Sequence, residues 1–68
     1  MNRIKVLSSN IDSIGYENGT LEIRFLNGSL YQYYHTSKEL FENMLNAESK
    51  GKFLWRNIRD VYPFKRVA

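Results

Sequence analysis

Leu21-Glu22-Ile23-Arg24-Phe25-Leu26-Asn27-Gly28-Ser29-Leu30-Tyr31-Gln32-Tyr33-Tyr34 is the stretch that decides the fold. Leu21, Ile23 and Phe25 alternate with Glu22 and Arg24, the period-2 pattern of a half-buried antiparallel strand. Asn27-Gly28 tolerates positive φ, so the chain turns there into a second strand over residues 30–34. The length of that turn sets the register. A two-residue Asn27-Gly28 loop places Arg24 opposite Tyr31 and Glu22 opposite Tyr33, and both tyrosines then share the polar face as a stacking platform. A three-residue loop, Leu26-Asn27-Gly28 with a glycine bulge, shifts the pairing by one. Tyr31 then faces Ile23, Tyr33 faces Leu21 and Glu22 meets Gln32. We prefer this core register, because two more rings are apolar area that so short a chain can hardly spare. In it the rings pack toward Leu21, Ile23, Leu40 and Met44, with their hydroxyls at the rim.

Working outward from this hairpin, residues 11–16 read as a weaker strand, joined to residues 21–25 by the turn Glu17-Asn18-Gly19. The three strands form a meander. Arg3-Ile4-Lys5-Val6 alternates and reads as a short edge strand. Downstream, Thr36 stands three residues before Glu39, the spacing of a capping box. Leu40, Phe41, Met44 and Leu45 then recur at helical spacing. Ser49 caps a second helix that runs to about Val61 before Pro63. Leu54, Trp55, Ile58, Val61 and Tyr62 share its apolar arc, while Lys52, Arg56 and Arg59 share another. Tyr62, Phe64 and Arg66 alternate with Lys65 and Val67, which suits a closing strand. The expected fold is α+β: a small antiparallel three-stranded meander, extensible by terminal strands, with two helices on one face.

The chain has 68 residues, no cysteine and one histidine. It makes a single domain, and a chain of this size buries only about 60% of its unfolded surface. Disulfides, thiolate chemistry and structural zinc sites have nothing to be built from. No apolar run approaches the about 20 residues of a membrane span, and no signal-peptide pattern opens the chain. The expectation is a cytoplasmic globular protein. Net charge is +3, but it is unevenly spread. Residues 1–49 carry four basic and six acidic side chains, and residues 50–68 carry six basic and one acidic. Such segregation suits a face for nucleic acid or another anion.

These pieces together resemble the KTSC domain, a module named for its place at the C-terminus of some lysyl-tRNA synthetases. The resemblance covers roughly residues 9–66. It rests on Ile14-Gly15-Tyr16, on Leu21-Glu22-Ile23 with Phe25, on Gly28 followed by Tyr31-Gln32-Tyr33, and on Ala47, Ser49-Lys50-Gly51-Lys52-Phe53, Ile58-Arg59 and Tyr62. The family usually carries an apolar residue and a proline before the first helix, where this chain has Thr36 and Ser37. The family also occurs as free-standing small bacterial or phage proteins. The synthetase fusion implies RNA binding by association alone.

The candidate site is the basic C-terminal third. Lys52, Arg56 and Arg59, with Lys50 before them and Lys65 and Arg66 beyond, are placed to follow a phosphate backbone. Ser49-Lys50-Gly51-Lys52 adds backbone N–H groups at a helix start, and Gly51 admits an anion closely. Trp55, Tyr31 and Tyr33 are the aromatic candidates. His35 has no carboxylate at a useful spacing, and neither Asp12 nor Glu17 has a partner. No nucleophile–base pair is present, so the expectation is a protein that is not an enzyme, with no cofactor and no metal. The leading reading is a module for nucleic acid, RNA above all. One alternative is a protein-interaction module centred on Trp55, Tyr62 and Phe64, with Arg56 and Arg59 as its rim. The other is capture of a small phosphorylated ligand, such as a nucleotide, at the Ser49–Lys52 turn.

Overall fold

The computed structural model describes residues 1–68. Five antiparallel strands form one sheet in sequence order: β1 (Arg3–Lys5), β2 (Ile11–Glu17), β3 (Thr20–Phe25), β4 (Leu30–Tyr33) and β5 (Phe64–Arg66). The helices α1 (Lys38–Asn46) and α2 (Lys50–Asn57) follow β4. The sheet is therefore five strands wide, not three: β1 extends the meander at one edge, and β5, returning after both helices, pairs with β4 at the other. No helix is long and apolar enough to cross a membrane.

The hairpin register follows from its turn. Gly28 N–H donates to Phe25 O and Phe25 N–H to Ser29 O, with Gly28 at φ 94°. That is a three-residue loop closed by a glycine bulge. Leu21 accordingly pairs with Tyr33, Glu22 with Gln32 and Ile23 with Tyr31. The other hairpin turns on Asn18 and Gly19, both at positive φ, and the Tyr16 hydroxyl accepts from Gly19 N–H at 3.0 Å. A bulge between Ile11 and Ser13 lets Ile11 and Ile14 both face inward. The core comprises Ile11, Ile14, Leu21, Ile23, Tyr33, Met44, Leu54 and Ile58.

Two helix boundaries depart from the sequence reading. Ser37, not Thr36, caps α1: its hydroxyl accepts from Leu40 N–H at 3.1 Å. Thr36 is buried, and both its N–H and its hydroxyl donate to Gly19 O, tying the start of α1 to the β2–β3 turn. The second correction concerns α2, which ends at Asn57 and does not reach Val61. Ile58 leaves helical geometry at φ −125°, and Arg59 N–H closes the end by donating to Leu54 O. Val61, expected on the apolar arc, is exposed.

On the sheet face away from the core lies a polar row. Arg3 pairs with Glu22, Gln32 Nε2 donates to Glu22 Oε1 at 2.8 Å, and the Tyr34 hydroxyl donates to Gln32 Oε1. The N-terminal segment crosses this face at Gly15. A Cβ there would sit 2.8 Å from the Asn2 carbonyl oxygen, so a residue without a side chain is needed for the approach.

Candidate nucleic-acid interface

Strand β4 and strand β5 place their rings by alternation. Tyr33 pairs with Phe64 and Tyr31 with Arg66, so Tyr31, Tyr33, Phe64 and Arg66 share one face of the sheet. Tyr31 and Tyr33 stack at 6.4 Å between centroids, and Phe64 tilts over both at 5.9 and 5.8 Å. Phe25 meets the Tyr31 edge at 5.6 Å. Helix α2 runs beside this aromatic layer, and a groove of about 600 Å³ lies between them. Its floor and walls include Phe25, Tyr31, Tyr33, Leu54, Trp55 and Phe64. Its polar lining comes from Asn10, Asn27, Ser29, Arg59 and Asp60. That volume falls within the about 300–1,000 Å³ typical of small-ligand sites.

Two apolar rings stand open at the groove. Trp55 is 65% exposed and Phe64 is 58% exposed. The Arg59 guanidinium lies 4.2 Å from the Trp55 ring centroid, a cation–π contact between two exposed side chains. Tyr33, in contrast, is 5% exposed. Its hydroxyl has no partner in the chain, yet no buried side-chain polar atom lacks one, so the hydroxyl is not sealed from solvent. Burial raises the Tyr33 pKa, the neighbouring Tyr31 adds to the rise and Arg59 opposes it. The hydroxyl thus stays protonated at neutral pH and offers a donor. Tyr31 and Tyr33 are therefore packed as the core register requires while still lining the groove.

The six basic side chains of the C-terminal third do not form one surface. Lys52 and Arg56 line a smaller depression of about 330 Å³ with Glu48, Ser49, Phe53 and Asn57. Arg59 lies apart from them, over Trp55, because α2 stops before reaching it. Arg66 shares the groove face but turns its Nε to Ala68 O at 2.9 Å. Lys65 pairs with Gln32, which puts it on the opposite face of the sheet. Lys50 folds back, its Nζ donating to Ala47 O at 2.6 Å at the end of α1. The start of α2 is closed by its own cap, with the Ser49 hydroxyl accepting from Lys52 N–H at 3.2 Å. Gly51 faces Asn10: a Cβ there would lie 3.1 Å from Asn10 Oδ1. The glycine thus fits α2 against the loop before β2 and lines the groove.

Sequence reasoning missed Asn10, Asn27, Ser29 and Asp60. They come from three separate loops, and no local pattern joins them. His35 is exposed at φ 60°, in the junction before α1. No three His, Asp or Glu side chains gather where they would hold a metal ion.

A five-stranded antiparallel sheet with two helices defines the class as α+β, and the comparisons give the family. The sequence profile of the KTSC domain matches residues 7–62, so the chain belongs to the KTSC domain family. The crystal structure of a KTSC domain protein from Yersinia pestis superposes with a TM-score of 0.91 at 36% identity, covering 98% of this chain and 97% of that one. A protein from Tsukamurella paurometabola is 41% identical over 51 residues, 72% of this chain and 76% of its own length. An uncharacterized protein from Stutzerimonas stutzeri is 37% identical over 54 residues, 76% of each chain.

Proposed function

We propose that this chain is a cytoplasmic, non-enzymatic module that binds single-stranded nucleic acid, RNA in the first place. The observation that carries the reading is the exposed Trp55, with the Arg59 guanidinium held over its ring, at the mouth of an aromatic groove. A base stacks on an aromatic face regardless of its identity, and a neighbouring arginine adds attraction for the phosphate. Lys52 and Arg56, in the separate depression on α2, offer a second pair of positive charges to the backbone of a strand long enough to reach them. Single strands suit the groove better than a duplex, because only an unpaired base enters a space of this size.

Trp55 is the one tryptophan of the chain, so its fluorescence reports on the site directly. Titration with a short single-stranded RNA should quench that emission with saturation. The same titration with Trp55→Phe, followed by anisotropy of a labelled RNA, should retain most of the affinity, whereas Trp55→Ala should lose a large part. Saturable RNA binding that leaves the Trp55 emission unchanged would place the contact elsewhere and defeat this reading.

A further inference from the structure

We infer that the groove selects guanine. The inference rests on the single-strand reading above and names the base that enters. Asp60 carries it: this is the only acidic side chain among residues 50–68, and it lines the groove. Asp60 is exposed and enters neither of the molecule's two ion pairs, which join Arg3 to Glu22 and Lys5 to Asp12. A carboxylate beside a phosphate path repels the backbone unless it accepts hydrogen bonds from the base. Guanine alone presents two adjacent donors, N1–H and N2–H, at a spacing that matches the two oxygens of one carboxylate. Uracil N3–H is flanked by two carbonyl oxygens. The amino groups of cytosine and adenine each stand beside a ring-nitrogen lone pair. Those three bases give Asp60 one donor and at least one repulsive neighbour.

The remaining polar lining supplies the complement. The Asn27 side-chain oxygen accepts from both Ser29 N–H and the Ser29 hydroxyl, so its amide nitrogen is free to donate. The Ser8 hydroxyl already accepts from Asn10 N–H and Ile11 N–H, and therefore donates to Asn10 Oδ1. The amide nitrogen of Asn10 is likewise free. Asp60, Asn10 and Asn27 line the same groove, which thus offers one pair of acceptor oxygens and two amide donors. Guanine matches that set with its N1–H and N2–H donors and its O6 and N7 acceptors. Trp55 and Phe64 supply the apolar walls for its ring faces.

The test compares three eight-nucleotide RNAs at one salt concentration: oligouridylate, the same strand with one central guanosine, and the same strand with one central inosine. Inosine keeps N1–H and lacks the N2 amino group. The guanosine strand should bind about tenfold more tightly than oligouridylate, the yield of one good bidentate contact. The inosine strand should lose most of that gain. Asp60→Asn should remove the guanosine preference, while its affinity for oligouridylate holds or rises as a negative charge leaves. Equal binding of the three strands by the parent would overturn the guanine inference and leave the single-strand reading standing. A preference that survives in Asp60→Asn would also overturn it. Failure of all three strands to bind would overturn the single-strand reading itself.

Discussion

Tyr33 and Glu22 sit on opposite faces of adjacent strands, and each shows how one side chain is committed. Tyr33 belongs to the core, while Tyr31 is half buried between Tyr33, Phe25 and Phe64. Truncating a core aromatic costs roughly 3–5 kcal/mol. A domain of this size holds about that much in total. Tyr33→Ala should therefore be largely unfolded in a thermal melt, Tyr31→Ala should be destabilised less, and Tyr33→Phe should melt close to the parent because the lost hydroxyl has no partner in the chain and is not sealed from solvent. Near-parental melting of Tyr33→Ala would contradict its place in the core. Glu22 is governed by charge. Burial alone would raise its pKa, but the hydrogen bonds from Gln32 and Arg3, with the Arg3 charge, outweigh that and hold it below 4.5. A depressed folded-state pKa contributes stability above the unfolded value and loses it as pH falls through the folded one. Glu22→Gln should thus be less stable than the parent at neutral pH, by about 1.5–3 kcal/mol, the range for a charged hydrogen bond. The gap should close as pH drops below 4.5. A gap independent of pH would show that shape, not charge, is what Glu22 supplies.

The elements differ in how openly their residues announce them. Strands β3 and β4 were legible because Leu21, Ile23 and Phe25 alternate without interruption and Gly28 marks the bulge that fixes register. The start of α1 was misplaced by one residue, since Thr36 and Ser37 are both good caps and only the fold shows that Thr36 is held by Gly19 O. Ser37→Ala should consequently cost about 1 kcal/mol as an ordinary cap. Thr36→Ala should cost more, because it deletes a buried hydroxyl that donates to Gly19 O in the β2–β3 turn, and the comparison of the two melts checks that order. Helix α2 was read too long, because Ile58 and Tyr62 continue the apolar period while the backbone has already turned away. Arg59 consequently lies beyond the helix and does not share a helical face with Lys52 and Arg56. The aromatic half of the groove was visible in Trp55, Tyr31 and Tyr33. The polar half was not, because Asn10, Asn27 and Asp60 meet only through the folding of distant loops.

At the scale of the whole molecule, the issue is whether ligand binding follows net charge or local geometry. The domain measures 26 × 24 × 23 Å. At 0.1 M salt the screening length is about 10 Å, so a charge on the far face of the sheet contributes little to a ligand held beside α2. Arg56 lies on the α2 surface and Lys65 on the opposite sheet face next to Gln32. Replacing either by alanine removes one positive charge from a total of +3. A net-charge mechanism predicts equal losses from the two variants. Local contact predicts that Arg56→Ala weakens RNA binding and flattens the dependence of log K on log salt by about 0.7, the share of one phosphate on a single strand. Lys65→Ala should leave both quantities near the parent's. The measurement is a set of RNA titrations at several salt concentrations with the parent and the two variants. Equal loss of affinity and slope in both variants would mean that the chain attracts RNA as a diffuse cation, and the separation of its basic residues over two faces would then have no bearing on binding.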